Sequence, residues 1–205
     1  RIEVDDRKHD PKEVRPVNDY ALATRLSYLL WSSMPDYELF PLAANQTLHQ
    51  KDVLVRHTRR MLKDPKAKAL TDNFAAQWLQ LRTLQTVTPD RQTYPAYSPE
   101  LKNAMVRETE LYFEHILKED RSVLEFIDSD YTFVNGRLAK HYGIDGVKGP
   151  EFQKVKLTDK NRGGIFGQAS FLTLTSNPTR TSPVKRGKWI LENVLGTPPP
   201  PPDPE

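Results

Sequence analysis

The chain has 205 residues, 37% of them hydrophobic, and sets 30 lysines and arginines against 27 acidic residues for a formal charge of +3. That length and apolar content suffice for one large or two small packed domains, while the near balance of charge, without basic clusters interleaved with aromatics, excludes a dedicated nucleic-acid binder. No apolar run approaches the ~20 residues of a membrane span, RIEVDDRKHD is no signal peptide, and the lack of cysteine excludes disulfides, thiolate nucleophiles, zinc-thiolate sites and covalent haem attachment within these residues.

A strand-like RIEV opens the chain and leads through a polar stretch punctuated by Pro11 and Pro16. The start at Arg1 and the proline-rich end read as a piece cut from a longer polypeptide. From Asp19 to Ser33, Leu22, Leu26, Leu29 and Leu30 recur at helical spacing and predict an amphipathic helix. Met34-Pro35-Asp36 ends it and caps a short helix holding Leu39 and Leu42. A third helix is expected from Lys51 to Leu62, with Val53, Leu54, His57 and Met61 on one side. Pro65 separates it from a fourth, Lys66 to about Leu81. Four helices with such short turns pack antiparallel.

Thr86 to Tyr97 has two prolines, two tyrosines and no helical period, and reads as a loop crossing the domain surface. Ser98-Pro99 starts the longest helix, expected to reach Glu119 with Leu101, Met105, Tyr112 and Ile116 inward. Ser122 and Glu125 have capping-box spacing. Tyr131 and Phe133 lead into a helix from Asn135 to His141, which Gly143 terminates. After that the texture becomes glycine- and proline-rich, with Phe152, Val155 and Leu157 as a possible strand. Ile165 to Leu174 is again helical. The sequence thus predicts a mainly α fold, an antiparallel helical bundle over residues 1–144, followed by a smaller, partly irregular helical subdomain over 145–197 with little or no β, and a stiff polyproline linker over 198–205.

The richest stretch is Ser176 to Pro202. Ser182 and Pro183 form a helix start and Gly196 a stop, so a helix spans about Val184 to Leu195. Lys185, Arg186 and Lys188 sit in its first turns, where the helix dipole disfavours cations by ~0.3–1 kcal/mol each. An anionic ligand, an acidic partner or carboxylates of the same chain must offset that cost. Asn177, Arg180, Thr181, Ser182, Lys185 and Arg186 are therefore candidate anion-binding or interface residues, with a capped turn held by acidic side chains as the alternative.

Candidate catalytic residues are Glu108 and His115, which with Tyr112 share one face of the long helix. A carboxylate and an imidazole in one cavity can do acid/base work or ligate a metal; a buried polar layer is the alternative, and no metal site is assigned. His141-Tyr142-Gly143 offers an imidazole at a helix end, and Trp31, Trp78 and Trp189 read as core anchors. Gly163, Gly164 and Gly167 lack the dinucleotide-binding spacing.

The phrases DYALATRLSYLLWSSMPDYEL (19–39), FAAQWLQLRTL (74–84), DRSVLEFIDSDYTFVNGRLAKHYGI (120–144) and RGGIFGQASFLTLTSNPTRTSPVKRGKWILENVLGTPPPPP (162–202) together resemble the paired domains of unknown function of planctomycete-type multidomain cytochrome c proteins. The resemblance runs from about Val14 to Pro202. It implies an exported, extracytoplasmic protein, periplasmic or at the cell surface, whose haem c is carried outside this chain, with a Cys-x-x-Cys-His segment soon after the proline run. Under that resemblance the chain is a helical scaffold whose partners are the haem-bearing domains of its own polypeptide and a redox partner protein, and Arg180, Lys185 or Arg186 is placed to neutralise haem propionates. The competing expectations are an extracytoplasmic enzyme domain in which Glu108, His115 and Arg180 converge on a polymer such as a polysaccharide, and a module recognised through its proline run.

Overall fold

The computed structural model describes residues 16–159 and 162–200. The RIEV opening, Pro11 and the last two prolines of the run, Pro201 and Pro202, lie outside the described residues. The fold is mainly α, with one two-stranded sheet. The chain divides into two compact units, Arg1–Leu70 and Thr71–Glu205.

The first unit holds α1 (Asp19–Trp31), α2 (Leu39–Ala44) and α3 (Lys51–Lys63). Asn18 caps α1 by accepting from the Ala21 amide at 2.8 Å, and Asp36 Oδ1 accepts from the Leu39 amide at 3.0 Å to start α2. The buried stripe of α1 is Ala23, Ser27, Leu30 and Trp31, whereas Leu29, expected inside, is 57% exposed. Two anchors roll the helix off its leucine stripe. Trp31 Nε1 donates to the Met61 carbonyl at 2.9 Å, and the Asp19 carboxylate accepts from the Leu48 amide at 2.8 Å. Arg60 then ties α3 to the α2 start, 2.7 Å from Asp36 Oδ2.

The fourth helix is not continuous. A 3-10 turn at Pro65–Ala67 and a π-helical stretch at Leu70–Ala75 lead into α4 (Ala76–Trp78), and Gln80 adopts left-handed φ of 55° before α5 (Leu81–Leu84). Tertiary bonds override helix propensity here: Trp78 Nε1 donates to the Asn193 carbonyl at 2.7 Å and Gln80 Nε2 reaches Asn193 Oδ1 at 3.3 Å.

The second unit is built on α6 (Pro99–Lys118), with Ser98 as its cap. Around it lie a 3-10 turn (Val123–Phe126), β1 (Tyr131–Val134), α7 (Gly136–Tyr142), β2 (Gln153–Lys156), a second 3-10 turn (Ile165–Gly167), α8 (Ala169–Leu174) and α9 (Pro183–Asn193). The expected capping box at Ser122 is only half made. Ser122 Oγ accepts from the Leu124 amide, but the Glu125 carboxylate is drawn away to Arg121 Nε at 2.9 Å and the Tyr131 hydroxyl at 2.6 Å. β1 and β2 pair antiparallel, Tyr131 opposite Lys156 and Val134 opposite Gln153. The change of texture near residue 145 therefore falls inside one compact unit, and the sheet closes across it.

One end of α6 packs Leu101, Ala104 and Met105 against Val134, Leu138 and Ala169. Its other end packs Tyr112 and Ile116 against Tyr131, Ile165, Phe171 and Trp189. The turn between them is polar. Thr109 Oγ1 donates to Gln168 Oε1 at 2.7 Å. Glu108, fully buried, accepts from Thr132 Oγ1 at 2.6 Å and from the Tyr142 hydroxyl at 2.5 Å. Burial raises its carboxyl from an ordinary 4.5 to about 7, against the opposing pull of those two hydrogen bonds.

Two consequences are measurable. Between pH 4.5 and about 7 the folded chain keeps the Glu108 proton that the unfolded chain has released. Its contribution is thus whole below 4.5 and is lost as pH rises through 7, on the order of 3 kcal/mol. Denaturant midpoints measured across that range should show a fall in stability that Glu108→Gln flattens; an unchanged slope in the variant would reject the assignment. Gly164 has φ of +65°, and a Cβ there would run into the Ile127 carbonyl. Gly164→Ala should therefore cost more than about 2 kcal/mol in the same assay.

Candidate functional site

A cavity in the second unit has a volume of about 410 Å³, within the roughly 300–1,000 Å³ span of ligand sites. Three stretches wall it. The loop after α5 contributes Val87, Pro89 and Thr93–Tyr97; α6 and α7 contribute Leu101, Met105, His141 and Tyr142; and residues from Arg162 to Thr181 close the far side. Its surface is chiefly aliphatic and aromatic, with Thr93, Thr173, Ser176, Asn177 and Thr181 as scattered polar groups, His141 as an imidazole and Arg162 as a cation.

The wall segments are tied together by a few directed bonds. The Asp90 amide donates to the Pro178 carbonyl at 2.9 Å, so the loop and the 176–181 turn form one rim. That turn is a miniature hairpin, with Ser176 bridging to Thr181 and the Asn177 amide donating to the Arg180 carbonyl at 2.8 Å. On the floor, the Tyr142 hydroxyl donates to Glu108 and accepts from the Ala169 amide at 2.7 Å. Its ring faces the cavity beneath the Arg162 guanidinium, 4.6 Å from the ring centroid. Enclosure raises the Tyr142 phenol well above its ordinary value. Burial, then the neighbouring Arg162 charge, lowers the His141 imidazole.

Of the six candidate anion or interface residues, Asn177 and Thr181 line the cavity. Arg180 is exposed at the tip of the turn. Ser182 is the cap of α9, accepting from the Lys185 amide at 3.3 Å. Arg186 turns inward, its guanidinium 6.0 Å from the Phe171 ring and its Nε 3.4 Å from Thr175 Oγ1. Lys188 pairs with Glu192 at 3.6 Å within the helix. The Lys185 side chain is exposed, so the basic residues of the first turns of α9 lie in three different surroundings and do not converge on one point.

Glu108 and His115 do not share a cavity either. Glu108 is sealed in the α6 polar layer, whereas the His115 imidazole meets Lys154 Nζ at 2.9 Å and stands edge-on to Tyr131, 5.2 Å between centroids. Burial, then Lys154, lowers its pKa. With Arg180 out on the turn tip, the three groups that an enzymatic cleft required lie apart. Among the described residues no group of three His, Asp or Glu side chains is placed to hold a metal.

The sequence left the cavity itself unassigned. Pro89, Tyr94, Pro95 and Tyr97 were visible only as an aperiodic loop, and Tyr142 only as the neighbour of a histidine. The available signal was compositional: apolar rings and prolines held in a segment with no helical period, which solvent alone does not favour.

Comparison with known proteins yields two family models side by side. Residues 17–144 match the model described as PSD4, a protein of unknown function (DUF1592), and residues 162–205 match PSCyt3, a protein of unknown function (DUF1588). Neither a curated protein nor a solved structure matches the chain. The pairing is the one that the sequence phrases resemble, and the cavity takes its walls from both matched stretches. Since the first match covers more than half of the chain, the protein belongs to the DUF1592 family, with a DUF1588 stretch folded into the same second unit.

Proposed function

We propose that this chain is a docking scaffold of an exported, multidomain cytochrome-c-type redox protein, non-catalytic by itself, and that the cavity is its docking site. The observation that carries the reading is the composition of the cavity wall. Two sequence modules, one bearing a cytochrome-associated name, jointly build an apolar recess with only scattered polar groups. A recess of that kind holds a partner by shape and burial rather than by acid/base chemistry.

The donor set of these residues does not fit haem c, because thioether attachment needs cysteines and the chain has none. On this reading haem c is carried by neighbouring domains of the same polypeptide, which the scaffold would seat against a redox partner outside the cytoplasm. No described helix is long and apolar enough to cross a membrane, which agrees with a scaffold reached from the aqueous side.

A reduced-minus-oxidised absorbance spectrum of the native polypeptide, beside one of residues 1–205 alone, tests the redox context. Haem bands are expected in the former only, and their absence from both overturns it. Thr173→Trp, which fills the cavity from its α8 wall, should slow electron transfer between haem domains at least several-fold in stopped-flow reduction while leaving the haem spectrum unchanged. An unaltered rate overturns the docking role.

A further inference from the structure

We propose that the cavity binds a proline-rich segment followed by carboxylates, and that the segment is residues 197–205, TPPPPPDPE, of a second copy of this chain. The proposal rests on the reading of the cavity as a docking site and names its occupant.

Three independent features of the chain converge on that chemistry. The first is the character of the wall. Tyr94 and Tyr97 flank Pro95 along one side, and aromatic-lined recesses of this kind take polyproline II segments, whose rings pack between the aromatic planes. A polyproline helix arrives stiff, so little conformational freedom is lost on docking. Its carbonyls have no internal partner, and Asn177 on the opposite rim carries an amide donor to meet them. The second feature is an unspent hydrogen bond. The Tyr97 hydroxyl is buried with no partner, a state that disfavours the empty cavity. A carbonyl entering beside the ring, with a small turn of the phenol, supplies the missing acceptor.

The third feature is charge. Arg162 lines the recess, and Arg180 stands exposed at its rim, whereas the proline run is followed by Asp203 and Glu205. A segment laid along the wall with its prolines against the tyrosines brings those carboxylates to the cationic side. The described prolines of the same molecule do not line the recess. Pro198, Pro199 and Pro200 are exposed, carried at the C-terminal end of α9, while the turn that borders the cavity precedes the N-terminal end of that helix. Those three prolines are therefore open to another copy. The contact is heterologous, proline run to recess, and leaves each pair of molecules with one free recess and one free run, so that it can propagate.

Sedimentation velocity over a hundredfold concentration range tests this on the full chain. The weight-average mass should rise with concentration to at least twice that of one chain. The quintuple variant Pro198→Ser, Pro199→Ser, Pro200→Ser, Pro201→Ser and Pro202→Ser should remain monomeric, yet bind the synthetic peptide TPPPPPDPE with a saturable change in tyrosine fluorescence. Tyr94→Ala, at an exposed ring whose loss does not threaten folding, should weaken that binding about tenfold, and a peptide with lysines replacing the two acids should bind less tightly. A full chain that stays monomeric throughout, or a peptide affinity indifferent to Tyr94→Ala, overturns the proposal. Peptide binding by a chain that never self-associates overturns the assignment to a second copy. Failure here leaves the electron-transfer effect of Thr173→Trp to decide the docking reading separately.

Discussion

The second unit depends on one phenol. Tyr142 stands at the end of α7, donates to a carboxylate sealed inside α6 and accepts from the first amide of α8. Its hydroxyl joins three helices beside a fully buried carboxylate, where a directed bond is stronger than in water. The matched DUF1592 stretch supplies the phenol and the carboxylate, and the DUF1588 stretch supplies the amide. The same ring that makes the internal tie forms the cavity floor, under Arg162. Cavity floor and core are thus two sides of one residue, and a change in the protonation of Glu108 reaches the recess through a single side chain.

The cost of that arrangement is a carboxyl taken wholly out of water. Thr132 from β1 and Tyr142 from α7 satisfy its two oxygens, and what desolvation remains appears as its raised pKa. The polar layer also separates the two apolar clusters along α6. Directed bonds at Thr109, Gln168 and Ser170 fix the register of α8 against that helix, which hydrophobic burial alone does not specify. This is the bland alternative that the spacing of Glu108, Tyr112 and His115 left open, and the structure adopts it for Glu108.

Local signals in the sequence located most helices because their determinants are local. Ser98-Pro99, Asn135, Gly143 and Ser182 act within one turn, and each terminus lies where its cap predicts. The misreadings share a different cause. Leu29 turns outward because Trp31 and Asp19 bond residues some 30 positions away. The fourth helix breaks because Trp78 and Gln80 are held by Asn193, more than 110 positions on. The recess was illegible for the same reason: its walls come from three separated stretches, and no window of sequence contains them together. Basic residues at the α9 start drew attention to the right neighbourhood, but the side chains that face the cavity there are the uncharged Asn177 and Thr181.

The pairing of β1 with β2 carries a consequence for how such chains diverge. The two strands lie on either side of residue 145, one inside the DUF1592 match and the other beyond its end. A recombination joint placed between residues 145 and 152 would separate them, leaving β1 with an open edge next to the core and the phenol of Tyr142 without its amide. Stretches that look interchangeable as sequence modules are thus bound to be inherited together, since the unit that selection acts on is the one that folds.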